Sequence, residues 1–330
     1  MVSTNIKEIA DGIRAGSVRS LARGLTWIEA GGERAAALSE DLYRHVGHAH
    51  VVGITGAPGA GKSTLVRALA LAARAENLTV AVIAVDPSSP FTGGSILGDR
   101  IRMNDLSADP GIFIRSMATR GALGGLCRAA GEAVDLLNAS GRDLILLETV
   151  GVGQDEVDVM GLAHTTVVVS VPGLGDEIQT LKAGIMEIAD VHVVNKADRE
   201  GANRTIGELR NMLMMSLAQT TEAAWEPPII PCVATQEQGA HSLLEAVRKH
   251  WTFLNTTGAR ASRERRIAES RVLKIAQGLV AETLSRPDTK DAQALRSDLE
   301  RVVQRELSPY RCARAVLVRA SEAERVSSHV

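Results

Sequence analysis

Gly56-Ala57-Pro58-Gly59-Ala60-Gly61-Lys62-Ser63 follows an apolar run at 51–55 and opens a stretch of helical periodicity at 62–74. The octet fits GxxxxGKS without a gap, and a strand before it with a helix after it is the context that pattern requires. Its glycines let the backbone wrap so that consecutive N–H groups face phosphate oxygens, and the helix N-terminus adds its positive end. Lys62 supplies a point charge between the β- and γ-phosphates, and Ser63 offers a hydroxyl to Mg²⁺. The expected phosphate-binding set is this octet with Thr64 after it.

Outward from that turn, short β-branched or aliphatic runs at 51–55, 80–85, 112–114, 144–147, 166–171, 191–194 and 229–233 alternate with helical patterns. The clearest helical stretches are 62–74, 126–137, 206–217 and 243–254. Continuous apolar strands separated by helices predict an α/β fold with a mostly parallel central sheet covered on both faces, the P-loop NTPase architecture. Before the first strand, Ile6, Ile9 and Ile13, then Leu21, Leu25 and Ile28, then Leu38, Leu42 and Val46 mark short helices. After Gly258 the strands stop. Val272, Ala276, Leu279 and Thr283 give one long amphipathic helix, ended by Arg286-Pro287-Asp288. A second carries Leu295, Leu299, Val302 and Val303, and Ser308-Pro309 reads as the cap and first residue of a third. The expected organisation is an N-terminal helical segment at 1–47, a P-loop GTPase domain at 48–258, and a C-terminal helical extension at 259–330. The extension's apolar stripes are too broad for so small a unit to bury alone, so it is expected to dock or dimerise.

Composition narrows the classes. Only 2% of the 330 residues are aromatic, so the core is aliphatic and a base-stacking nucleic-acid platform has few rings to use. Net charge is −2, which gives no bulk attraction to nucleic acid or to a membrane surface. Residues 260–330 carry 15 Lys/Arg against 10 Asp/Glu, a mildly basic solvated face. Cys127, Cys232 and Cys312 form no CxxC pair, so neither a disulfide framework nor a structural zinc site is expected. With no apolar leader and no run long enough to span a bilayer, the expected location is the cytoplasm. His45, His48 and His50 read as surface residues.

Three further stretches carry chemistry. Asn195-Lys196-Ala197-Asp198 follows the run at 191–194 and matches NKxD. A buried carboxylate at Asp198 can accept both N1–H and the exocyclic N–H of guanine, a donor pair adenine lacks. Asn195 can bond the ring's acceptor edge, and the Lys196 stem can cover the ring. A backbone N–H at Val233 or Ala234 is placed to meet the base carbonyl. Glu148-Thr149-Val150-Gly151-Val152-Gly153-Gln154 closes the run at 144–147 with an acid and a glycine three residues later, as in the Mg²⁺ and γ-phosphate sensor of switch GTPases. Val152 stands where Ras-like proteins orient water with Gln, so slow intrinsic hydrolysis is expected, with Gln154 a candidate to position the water. Asp86 ends the run at 80–85 and opens a Gly/Ser/Pro-rich stretch reaching Asp99 and Arg100. Asp86, and Asp99 if that stretch closes, are candidate Mg²⁺ ligands beside Ser63 and Glu148. An ion pair of Asp99 with Arg100 or Arg102 is the alternative.

With these elements together, the chain resembles the methylmalonyl-CoA mutase-associated GTPases of the MeaB/ArgK/MMAA type, metallochaperone-related P-loop GTPases. The resemblance rests on the P-loop, on DPSSPFTGGSILGDRIRM at 86–103, on ETVGVGQ at 148–154, on PGLGDEIQTLKAGIMEIAD at 172–190, and on NKAD. It implies a GTP-hydrolysing chaperone of an adenosylcobalamin-dependent acyl-CoA mutase, methylmalonyl-CoA mutase by default, that gates cobalamin loading and protects or reactivates the mutase. Adenosylcobalamin then belongs to the partner, while GTP or GDP and Mg²⁺ belong to this chain. Carried over by position, Lys62 and Ser63 match the phosphate and Mg²⁺ residues, Asp86, Asp99 and Glu148 the acids around the metal, and Asn195 and Asp198 the base readers. Lys62, Glu148, Asp99 and the candidate Gln154 are the expected catalytic residues. The resemblance further implies a homodimer held by the C-terminal extension and a third switch at 171–182 with Asp176 and Lys182 as its charged positions. Isobutyryl- and 2-hydroxyisobutyryl-CoA mutases are alternative partners. A P-loop kinase of a basic amino acid transport system and a nickel metallochaperone GTPase are the rival classes. Asp198 speaks against the first, and the lack of a Cys pair or His-rich tract against the second.

Overall fold

The computed structural model describes residues 2–86, 104–118, 125–149, 161–173, 188–217, 225–285 and 290–327. The seven apolar runs are the seven strands: β1 (His50–Gly56), β2 (Val80–Asp86), β3 (Ile112–Ala118), β4 (Leu144–Thr149), β5 (Thr165–Ser170), β6 (Val191–Asn195) and β7 (Ile229–Cys232). They form one sheet in the order β3-β2-β4-β1-β5-β6-β7, and every pairing is parallel. β3 runs four residues past its apolar stretch. It lies at the sheet edge, where Arg115 reaches Glu29 at 2.7 Å instead of entering the core.

Alternation along the strands divides the core in two. Val52, Ile54, Val82, Leu146, Val167 and Val169 pack with Leu65 and Leu69 of α4 (Lys62–Ala75) and Leu243 and Val247 of a later helix, Ala240–Thr257. Val51, Ile83, Ile145 and Leu147 pack with the opposite layer. That layer is α1 (Val2–Arg14), α2 (Val18–Ala30), α3 (Glu33–Tyr43) and α5 (Gly125–Ala139), through Ile13, Leu25, Leu38, Leu42 and Leu136. The N-terminal helices thus share one core with the sheet. They complete the back layer because α5 alone cannot cover it. α6 (Ala202–Leu217) shields β6 through Leu209, and the helix at Ala240–Thr257 is α7.

At Gly258 the chain turns from α7 into α8 (Ala259–Ser285). The corner is built on rings. His50 stacks on Trp251 at 4.5 Å, His164 lies 5.0 Å from Trp251, and the Arg260 guanidinium sits 4.7 Å over the same indole. His50 Nε2 is 2.7 Å from Thr165 Oγ1, which is 2.8 Å from His250 Nδ1. Arg263 donates to Asp190 at 2.6 Å, and His250 Nε2 lies 3.3 Å from that carboxylate. His50 is therefore no surface residue: it starts β1 and is 7% exposed, whereas His45 and His48 are exposed. Burial pushes the pKa values of His164 and His250 down to about 4, and that of His50 well down.

Farther along α8, Arg271 grips Asp135 of α5. Beyond that latch Val272 and Leu273 are exposed, as are Leu299 and Val303 of α9 (Lys290–Val303) and Tyr310 and Leu317 of α10 (Pro309–Ser327). Ser308 caps α10, its Oγ accepting from Arg311 N at 3.3 Å.

Candidate functional site

In a parallel sheet, ligands bind beyond the carboxyl ends of the strands, where successive connections leave in opposite directions. Here β1 connects to β2 on one side, while β4 connects to β5 on the other, so that crevice opens at Gly56. The turn after Gly56 enters α4 through Gly61, whose φ of 87° is left-handed. A Cβ there would also lie 2.5 Å from Asn195 Nδ2, so only glycine fits. Lys62 is buried, and its Nζ donates to the carbonyls of Gly56 at 2.6 Å and Ala57 at 3.2 Å. The ammonium is thereby held at the mouth of its own loop. Ser63 Oγ donates to Glu148 Oε1 at 2.5 Å. Glu148 is wholly buried at the end of β4, in register with Ile54 of β1 and Ala84 of β2. Asp86 ends β2 on the same edge.

The Asn195-Lys196-Ala197-Asp198 turn leaves β6 and reaches back to the P-loop. Asn195 Nδ2 donates to Ala60 O at 2.8 Å, and its Oδ1 accepts from Ala234 N at 3.1 Å. The residue is 2% exposed. Its oxygen already accepts one bond and one amide hydrogen is used, so Asn195 is a brace between two loops, with the second amide hydrogen left for a ring acceptor. Lys196, at φ 56°, sends Nζ to Gly59 O at 2.8 Å, which lays its stem across the crevice. Asp198 is exposed rather than buried as expected, because the turn carries it past the strand end. The two N–H groups expected to meet a base carbonyl are both committed. Val233 donates to Gln238 O at 3.0 Å and Ala234 to Asn195. A base carbonyl must take the Ala234 hydrogen in competition with the Asn195 oxygen.

Lys62, Ser63, Glu148, Asn195, Lys196 and Ala234 are thus brought to one edge, Ser63 bonding Glu148, Asn195 bonding Ala234, and Lys62, Asn195 and Lys196 each bonding a carbonyl of the P-loop turn or of the strand end that opens it. Asp99, Gln154, Asp176 and Lys182 lie outside the described residues. Among the described residues, no group of three or more His, Cys, Asp or Glu converges to hold a metal. The contact of Ser63 with Glu148 supplies two hard oxygen donors at one point. That suits Mg²⁺, which takes one or two protein ligands and keeps water and phosphate for the rest. Cys232, beside the base-side turn, is buried, and that burial pushes its thiol up to about 12, so it stays a protonated thiol at neutral pH. Arg67, one turn beyond Ser63 on α4, carries no motif signal. Its partners Asp105 and Glu237 lie far from it in sequence, so periodicity gave no sign of it.

The model of the family described as methylmalonyl Co-A mutase-associated GTPase MeaB matches residues 21–289. A Pyrococcus horikoshii protein named as a GTPase is 47% identical over 316 residues, covering 94% of this chain and 97% of that one. GTPase ArgK of Escherichia coli is 40% identical over 253 residues, covering 74% of this chain and 76% of its own. Among solved structures, one titled LAO/AO transport system kinase superposes with a TM-score of 0.64 at 28% identity, covering 98% of both chains.

Proposed function

The chain belongs to the family of methylmalonyl Co-A mutase-associated GTPases, MeaB, and is a P-loop GTPase; from that premise we propose that it is a nucleotide-switched chaperone of an adenosylcobalamin-dependent acyl-CoA mutase. The observation that carries the site is the convergence of Lys62, Ser63, Glu148 and Asn195 at the carboxyl edge of β1, β4 and β6.

In this reading the triphosphate lies along the N–H groups of 57–63, and the Lys62 ammonium moves from the Gly56 and Ala57 carbonyls to the β- and γ-phosphate oxygens. Ser63 and Glu148, with Asp86 and Asp99, hold Mg²⁺ directly or through water. Bound there, the ion neutralises charge developing on the phosphates during hydrolysis. Asp198 takes the two donors of guanine, Asn195 fixes the P-loop against the base-side turn, and Lys196 covers the ring. Gln154 positions the attacking water. Asp176 and Lys182 report the nucleotide state to the mutase, which admits or releases cobalamin accordingly. The switch requires that the GTP and GDP forms bind the mutase with different affinity. Methylmalonyl-CoA mutase is the default partner, with isobutyryl- and 2-hydroxyisobutyryl-CoA mutases as alternatives. The exposed apolar residues of α8, α9 and α10 support a homodimer through the C-terminal extension. No helix among the described residues is long and apolar enough to cross a membrane, and we place the chaperone in the cytoplasm with its partner.

The solved structure titled as a transport system kinase keeps a phosphoryl-transfer reading in play. Calorimetry separates the two. With Mg²⁺, a GTPase switch binds GTP and GDP and is not displaced by ATP. Displacement of GDP by ATP as effective as that by GTP overturns it. The chaperone role is tested by titrating the purified mutase with the GTP- and GDP-loaded chain, and equal affinities refute switching.

A further inference from the structure

Arg67 joins three segments around the nucleotide crevice. Its Nε donates to Asp105 Oδ2 at 2.7 Å and Nη2 lies 2.6 Å from the same oxygen, while Nη1 donates to Glu237 Oε1 at 3.1 Å. The first partner sits in a short 3-10 helix, Asn104–Ala108, which is pinned into the α4 layer by the fully buried Leu106. The second is the tip of the tight turn that carries Val233 and Ala234. That turn is closed by Val233 N to Gln238 O at 3.0 Å and Gln236 N to Val233 O at 2.9 Å, and Glu237 itself is left-handed at φ 59°. Behind it Gly239 leaves no room to yield, since a Cβ there would lie 2.4 Å from Pro231 O.

The turn is therefore held at two points. From inside, Ala234 N bonds Asn195, which bonds the P-loop carbonyl of Ala60. From outside, Arg67 bonds Glu237 from the helix that the P-loop opens. Both grips connect the base side to the phosphate side, one at Ala234 and one at Glu237 of the same turn. Arg67 thus pairs with two carboxylates from separate segments. Its hydrogen bond is the main cause holding Asp105 below the usual carboxylate range. Glu237 Oε1 has no other side-chain partner among the described residues.

We propose that Arg67 is a positioning residue for the base half of the nucleotide site, gripping Glu237 so that the turn bearing Val233 and Ala234 keeps the spacing from the P-loop that guanine needs. The proposal rests on nucleotide binding at the P-loop as set out above. Partly exposed ion pairs add little to stability. The effect is on geometry, where a displacement of about 1 Å is enough to cost a large factor in a positioned interaction. Arg67 spends its guanidinium on Asp105 and Glu237, outside the P-loop turn itself, so its loss should spare phosphate binding and weaken only what depends on the base-side turn.

The test uses the full chain with Mg²⁺ and two ligands, GDP and inorganic tripolyphosphate, which has phosphates but no base. Calorimetry compares wild type with Arg67→Gln, Arg67→Lys and Glu237→Gln, and a thermal midpoint is recorded for each. Arg67→Gln and Glu237→Gln are each expected to weaken GDP about tenfold while leaving tripolyphosphate unchanged. Arg67→Lys, which keeps the charge but not the fork, falls between them and wild type. Unchanged GDP binding in Arg67→Gln and Glu237→Gln overturns the proposal, as does an equal loss on both ligands, the mark of a purely structural role. If Arg67→Gln fails to fold, Glu237→Gln decides alone. A wild-type chain that binds neither ligand would sink the nucleotide site first, and the role of Arg67 with it.

Discussion

Lowering the pH from 7 to 5 should destabilise this fold steeply. Three histidines, His50, His192 and His250, are buried and a fourth, His164, is half-buried, all as neutral rings. His164, His192 and His250 are pushed from an ordinary 6.5 down to about 4, and His50 is lowered well below it, in each case chiefly by burial. In the unfolded chain the same rings titrate near 6.5. Between those values the unfolded state binds more protons than the folded one, so stability falls as pH falls. The contribution is complete above pH 6.5 and is lost progressively toward pH 4. Between pH 7 and pH 5 each histidine shifted to about 4 costs about 2 kcal/mol, and the three together about 6 kcal/mol. That is comparable with the whole stability of an ordinary domain, about 5–15 kcal/mol.

Urea unfolding at pH 7, 6 and 5 reads the effect as a falling midpoint. His192→Leu provides the internal control. His192 is fully buried on β6, and among the described residues neither ring nitrogen has a hydrogen-bond partner. Replacing it should be neutral or stabilising at pH 7 and should flatten the pH slope by about one histidine's share. A midpoint that does not move between pH 7 and pH 5 would refute the burial of these rings as neutral groups. So would an unchanged slope in His192→Leu.

Lys62→Ala should abolish nucleotide binding in calorimetry, and wild-type-like GTP affinity would refute the phosphate assignment. Asp198→Asn should reduce the preference for GTP over ATP in competition while leaving the thermal midpoint within about 1 °C, since an exposed carboxylate contributes little to folding. Asn195→Ala leaves the Ala60 carbonyl and the Ala234 N–H without their partner and should cost about 2–4 kcal/mol in urea unfolding. Arg271→Ala strips the cation from Asp135, whose side chain is 8% exposed, and should cost about 3–5 kcal/mol. Proteolysis in the native state should then cut first within α8.

Strand and helix identity was legible from short-range order. The runs at 51–55, 144–147 and 191–194 are mostly apolar, with Thr55 and His192 the polar exceptions, because both faces of a parallel strand are covered, and that holds whatever the neighbouring strand is. The octet at 56–63 carries its own geometry in its glycines, so its turn and the helix that follows could be read locally. Spacing could not say which distant groups meet. Ser63 and Glu148 are 85 residues apart and Asn195 and Ala60 are 135 apart, yet the order β4-β1-β5-β6 sets their strand ends along one edge. The same cause moved His50 from the surface, where its polar neighbours His45 and His48 remain, to the face of Trp251, and set Asp198 in solvent. Periodicity records whether a side chain faces inward. Its partner is decided by which segments the sheet order and the turn at Gly258 bring alongside, and residues such as Arg67 acquire their contacts only there.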